Sequence, residues 1–117
     1  MKQLISFLLS SLIEGAKAGI DNGVEDRNLD YVSDQFDILE QALVWLIQLE
    51  NGEDIDFGSF GKYIKRSANT NDLESAIIRL LTYYEDIERT NNPEDRVEIR
   101  IDEELIAQLI RRIENDN

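Results

Sequence analysis

The stretch Tyr31–Leu49, YVSDQFDILEQALVWLIQL, constrains this chain more than any other. Its second half, Ala42-Leu43-Val44-Trp45-Leu46-Ile47, is apolar around the whole circumference of a helix. Such a helix is normally buried on all sides or shared with a partner. The first half divides. Val32, Phe36, Leu39 and Leu43 share one face at helical spacing, while Asp30, Asp34 and Asp37 line another. The expectation is a helix from about residue 28–30 to Glu50 that enters the core at one end and shows carboxylates at the other. Asn51-Gly52 should stop it, because both residues tolerate the left-handed region.

Other segments take their order from this one. Leu4, Ile5, Leu8, Leu9, Leu12, Ile13 and Ala16 follow the i, i+3, i+4, i+7 template. They predict a helix over residues 2–18, with Gly19 as its C-terminal cap and a polar loop over 19–29 turning at Asn22-Gly23. Residues 54–57 alternate polar and apolar, enough for a very short extended piece. Phe57, Phe60 and Ile64 then predict a short helix over 58–66. Asn71 with Glu74 three residues on reads as a capping-box variant. The stripe Leu73, Ala76, Ile77, Leu80, Leu81, Tyr84 and Ile87 carries that helix to Asn91-Asn92.

Val97-Glu98-Ile99-Arg100-Ile101 alternates throughout, with β-branched residues at every apolar position, which favours a strand. Asp102 would then cap a last helix that turns Leu105, Ile106, Leu109, Ile110 and Ile113 inward. The rival reading is one continuous helix starting at Asn92-Pro93-Glu94-Asp95. The fold class is therefore mainly α: a compact bundle of four to five helices in a single domain over residues 1–117. On the strand reading it gains one short strand pair near the C-terminus. Leu8, Leu12, Leu43, Leu46, Ile47, Ile77, Leu80 and Leu81 are expected to share the core.

Composition narrows the chemistry. The chain has 117 residues, no Cys and no His. It can form no disulfide and no thiolate metal site, and it lacks the commonest general base. This fits a reducing, cytoplasmic setting. Met1-Lys2-Gln3, the apolar run to Ile13 and Ala16-Lys17-Ala18 imitate a signal peptide. Ser6, Ser10, Ser11 and Glu14 interrupt the pattern, so the segment is read as part of the fold. No run reaches the ~20 apolar residues of a membrane span.

The motifs that suggest chemistry do not hold up. Setting Gly52–Phe60 into a calcium-binding helix-loop-helix frame leaves both the turn glycine and the bidentate Glu unsupplied. Glu85, Asp86 and Glu88 invite a divalent-metal cluster of the kind found in all-α pyrophosphohydrolases, but the facing pair of ExxE motifs is missing. Val97–Ile113 resembles the first strand and helix of a ribbon-helix-helix repressor over about seventeen residues. The chain ends where that motif's second helix should begin, and its charge is wrong for DNA. A lone strand there would still need a pairing edge.

Charge is the strongest functional signal. The net charge is −13, and residues 21–60 hold eleven acids against the single Arg27. Asp21, Glu25, Asp26, Asp30, Asp34, Asp37 and Glu40 form the first part of this band, and Glu50, Glu53, Asp54 and Asp56 the second. Such a field repels nucleic acid and anionic membrane and draws basic partners. Carboxylates four residues apart on a helix rise ~6 Å per charge. A DNA strand carries one phosphate per ~3.4 Å, so one helical row is too sparse for full mimicry. The leading expectation is a non-catalytic inhibitor or immunity-type protein, without cofactor or metal, that blocks a basic nucleic-acid-handling partner. The alternative is a structural subunit or helical homodimer joined through Val44, Trp45 or Val97–Ile101. A small metal-dependent hydrolase is the third reading.

Overall fold

The computed structural model describes residues 1–94 and 102–116. They form five helices: α1 (Lys2–Glu25), α2 (Leu29–Glu50), α3 (Phe57–Ala68), α4 (Leu73–Asn91) and α5 (Glu103–Asn115). The mainly α expectation holds, and the described residues contain no strand. Residues 54–56 are a loop, and Phe57, expected in an extended piece, is the first residue of α3. Val97–Ile101 lies outside the described residues. The continuous helix from Asn92 is overturned, because Asp102 has an extended backbone (ψ 103°) and its side chain accepts the N–H groups of Glu104 and Leu105. This is the N-terminal cap expected for a separate last helix.

α1 runs seven residues beyond its expected end. Gly19 does not cap it; Gly19 and Gly23 are there for packing. A Cβ on Gly19 would lie 2.7 Å from Oε1 of Gln35, and one on Gly23 would lie 2.6 Å from Cγ2 of Val32. These contacts run in opposite sequence directions, so α1 and α2 form an antiparallel hairpin in close approach. The true stop is Arg27, in the left-handed region at φ 54°. There the N–H of Asn28 donates to the Gly23 carbonyl at 2.9 Å, and the N–H of Arg27 to that of Val24 at 3.2 Å. This is a Schellman motif with Arg where Gly is usual. Gly52 at φ 74° and Asn69 at φ 54° end α2 and α3 with the same bond pattern.

Aspartates start three of the helices. Asp56, Asp72 and Asp102 cap α3, α4 and α5. Asp72 displaces the expected Asn71, and its carboxylate accepts both the N–H and the hydroxyl of Ser75. α4 packs on α1 and α3, and α5 closes the bundle against α3 and α4. One core results, with Leu8, Leu9 and Leu12 meeting Ile38, Trp45, Phe60, Ile77, Leu81 and Leu109. The Trp45 ring stands edge-on to Phe60 and Tyr63, with centroids 5.6 and 5.3 Å away.

This placement of Trp45 corrects the homodimer contact drawn through it: the side chain is 3% exposed and belongs to the core. Two residues expected in the core are also corrected. Leu43 and Ile47 lie on the outside of α2. The buried line of α2 is Val32, Ile38, Ala42 and Trp45. It is rotated away from the Phe36–Leu43 line because α1 covers one side of the helix and α3 another.

Candidate functional site

The outer face of α2 brings together the features that the sequence suggested, in a different grouping. Leu29, Phe36 and Leu43 recur at seven-residue spacing, and Ile47 lies one turn beyond Leu43, so all four share one line along the helix. They are 78%, 52%, 43% and 59% exposed. Val44 and Tyr31 are exposed beside them, and Val24 is exposed at the end of α1. Four large apolar side chains in solvent on one helix face are a patch rather than scattered singles. Sequence reasoning placed two of them in the core. The seven-residue spacing of Leu29, Phe36 and Leu43 was the signal that could have separated them from the buried line.

Carboxylates flank this stripe. Within Leu29–Glu50 there are five acids, Asp30, Asp34, Asp37, Glu40 and Glu50, and no Lys or Arg. The expected band nevertheless divides by role. Asp21, Glu25, Asp26 and Asp30 surround the α1–α2 turn and are exposed. Glu40 and Glu50 project from α2, and Glu53 and Asp54 are exposed in the following loop. At about 1.5 Å per residue, the turn acids and the loop acids stand at opposite ends of a helix roughly 33 Å long. The structure does not gather them into one cluster.

Three of the acids have internal work. Arg66 of α3 reaches across to α2, with Nη1 3.2 Å from Oδ2 of Asp37 and Nη2 3.7 Å from Oδ1 of Asp34. Nη2 also donates to the Asp34 carbonyl at 3.1 Å. The Tyr63 hydroxyl donates to Oδ2 of Asp37 at 2.9 Å, and the Arg66 guanidinium lies 5.3 Å over the Tyr63 ring. Partial burial and then the hydrogen bond to Asp37 push the Tyr63 phenol above its ordinary range. Asp56 accepts the backbone N–H of Ser59 at 3.2 Å and its hydroxyl at 2.8 Å. Those bonds hold its carboxyl below the usual carboxylate range, the backbone bond first. Asp34 and Asp37 clip α2 to α3, and Asp56 starts α3.

The acids of α4 are also partly occupied. Glu85 pairs with Arg89, and Glu88 accepts from the Asn92 amide at 3.4 Å. Among the described residues, no three acids stand together in a group that could hold a metal ion. No described helix is long and apolar enough to cross a membrane. No protein-family model, curated protein or solved structure matches the chain.

Proposed function

We propose that this protein is a non-catalytic, acidic binding protein that docks on a basic protein partner through the outer face of α2 and the α1–α2 turn. The observation that carries the reading is the exposed stripe Leu29, Phe36, Leu43 and Ile47 on a helix with five acids and no cation. An apolar line of this kind supplies buried area, and the charges around it set encounter rate and register. A partner with Lys and Arg around an apolar groove is complementary on both counts. Clefts built for single-stranded nucleic acid combine a basic groove with aromatic faces, so the use we infer is inhibition of a nucleic-acid-handling protein. The acids act as a plug for the cleft, since their spacing along α2 is too wide to copy a phosphate row.

The residues that suit such contact are Asp21, Glu25, Asp26, Asp30, Glu40, Glu53 and Asp54. Asp34, Asp37 and Asp56 support the fold, so reversing them tests stability as well as binding. The informative variant therefore reverses Asp21, Asp26 and Asp30 to Lys, with Glu74, Asp86 and Glu94 reversed as the matched control. With a partner captured from the native host, the first variant should associate more slowly and lose most of its salt dependence, while the control keeps both. Equal behaviour of the two variants would remove the charge argument. Circular dichroism checks that both remain helical.

A second reading, self-association through the same apolar stripe, is favoured by Phe36 and Ile47 but opposed by the charge. Two copies of α2 face to face would juxtapose carboxylates with no cation on either helix.

A further inference from the structure

A cleft of about 320 Å³ opens where α1, the end of α3, α4 and the start of α2 meet. Three features set it apart from an ordinary surface dip. The first is Ser11, which lines it. Ser11 is fully buried, and its hydroxyl has no hydrogen-bond partner among the described residues. A buried hydroxyl without a partner is costly, and native folds rarely leave one. The second is Gly15, one turn further along α1. A Cβ there would meet only Cε1 of Tyr83, at an ordinary 3.7 Å. Gly19 and Gly23 are required by the approach of α2, but packing does not require Gly15. A glycine inside a helix weakens it relative to alanine, and this one lines the same cleft as Ser11.

The third feature is the polar gradient of the lining. Ser11 lies at the buried end, whereas Tyr31 and Tyr83 are 42% and 37% exposed and Arg79 is exposed. Arg79 Nη1 donates to the Ala68 carbonyl at 3.0 Å, which holds the guanidinium in place. Its other N–H groups have no partner among the described residues. Glu14 is the nearby opposing charge, and it stands 3.4 Å from Lys17. Partial burial and then Glu14 push the Tyr83 phenol above its ordinary range.

We propose that this cleft binds a small aromatic carboxylate, with the carboxylate on Arg79, the ring against Tyr31 and Tyr83, and a polar group at the far end hydrogen-bonded to Ser11 Oγ. The volume is at the lower end of the range for ligand sites and suits a single ring. A guanidinium favours carboxylate, and its charge-assisted bonds are roughly twice as strong as neutral ones. The ring faces supply the apolar contact. The cleft borders the proposed docking surface at Asn22 and Tyr31, but its ligand chemistry rests on Ser11, Arg79 and Tyr83 and not on the protein-binding reading.

The test uses 4-hydroxybenzoate as probe, titrated into the full chain labelled with ¹⁵N. Saturable shifts should be confined to residues 11–22, Tyr31, Ser67, Ala68 and residues 79–83. The neutral 4-hydroxybenzamide should bind about tenfold more weakly or worse, the equivalent of one charge-assisted bond. Benzoate, lacking the far hydroxyl, should also bind more weakly, and Ser11→Ala should abolish that difference. Arg79→Gln should remove the preference for carboxylate over amide, and Gly15→Leu should block the probe while Gly15→Ala leaves the fold intact. Absence of saturable shifts at about 10 mM probe, well above a Kd worth about 4 kcal/mol, would overturn the proposal. So would equal binding of acid and amide, or Ser11→Ala that leaves the benzoate difference unchanged.

Discussion

Gly61 of α3 and Ile113 of α5 occupy adjoining space so tightly that a Cβ on Gly61 would overlap Cγ2 of Ile113. The two helices meet there backbone against side chain, and the same corner is fixed by two further contacts. The Phe57 N–H donates to Oδ2 of Asp116 at 3.0 Å, and the Arg112 guanidinium lies 4.8 Å over the Phe57 ring. α5 is therefore joined to the start of α3 by interactions that a chain reading cannot supply, because the partners are about sixty residues apart.

Two alanine substitutions for glycine should act in opposite directions. Gly61→Ala should destabilise by about 1–3 kcal/mol through overpacking, despite its better helix propensity. Gly15→Ala, which meets no obstruction, should stabilise by roughly 0.5–1 kcal/mol. Urea melts of both variants check the pair: a stabilising Gly61→Ala would show that α3 and α5 are not packed as described, and a destabilising Gly15→Ala that Gly15 is not in open space.

Core and surface leucines should separate cleanly. Leu80 is 5% exposed in the α4 stripe, so Leu80→Ala should cost about 2–5 kcal/mol. Leu43→Ala on the outside of α2 should change stability by no more than about 0.5 kcal/mol. A large loss at Leu43 in denaturant melts would return that residue to the core.

The aspartate caps predict the acid limb of the stability curve. Hydrogen bonds from Ser75, the side chain first, hold the Asp72 carboxyl below its ordinary range, as those from Ser59 do for Asp56. A depressed folded value means that the stabilisation is fully present above the unfolded value of about 3.9 and is lost as pH falls through the folded value. Thermal melts of Asp56→Asn/Asp72→Asn between pH 2 and about 5 should show a shallower loss than the parent, since Asn caps without titrating. An unchanged slope would assign acid unfolding to other carboxylates.

Self-association should respond to salt. At low ionic strength the carboxylates of α2 hold copies apart, and the Debye length shrinks from roughly 10 Å at 0.1 M to 3 Å at 1 M. Sedimentation should show monomer in dilute buffer, with any dimer appearing only at high salt and vanishing in Ile47→Ser. A stable dimer at low salt would favour the subunit reading over an acidic docking surface.

The mainly α fold, the extents of α2 and α4, and the Asp102 cap were legible in the sequence, because periodicity and capping are local signals. The α1–α2 turn was not. Gly19 and Asn22-Gly23 carry stop and turn chemistry, yet both glycines serve close helix contact, and the stop falls to Arg27, which has no propensity for its conformation. The rotation of α2 was equally hidden: Phe36 and Leu43 fit a helical face as well as Ile38 and Ala42 do, and only the positions of α1 and α3 decide which line is covered. The charge band was legible as composition. Its division into solvated acids at the turn and the Asp34/Asp37 clip depended on where Arg66 and Tyr63 arrive.

Trp45 is the only tryptophan of the chain, and it sits at the junction of α2 with Phe60 and Tyr63. The molecule thus carries a built-in optical probe at one joint. Its emission should lie to the blue in the native state and shift to the red when α3 parts from α2, whatever happens at the α4–α5 end. Fluorescence then follows the α2–α3 seam while far-ultraviolet dichroism follows all five helices. Coincidence of the two melting curves measures whether the bundle opens as one unit or begins at that seam.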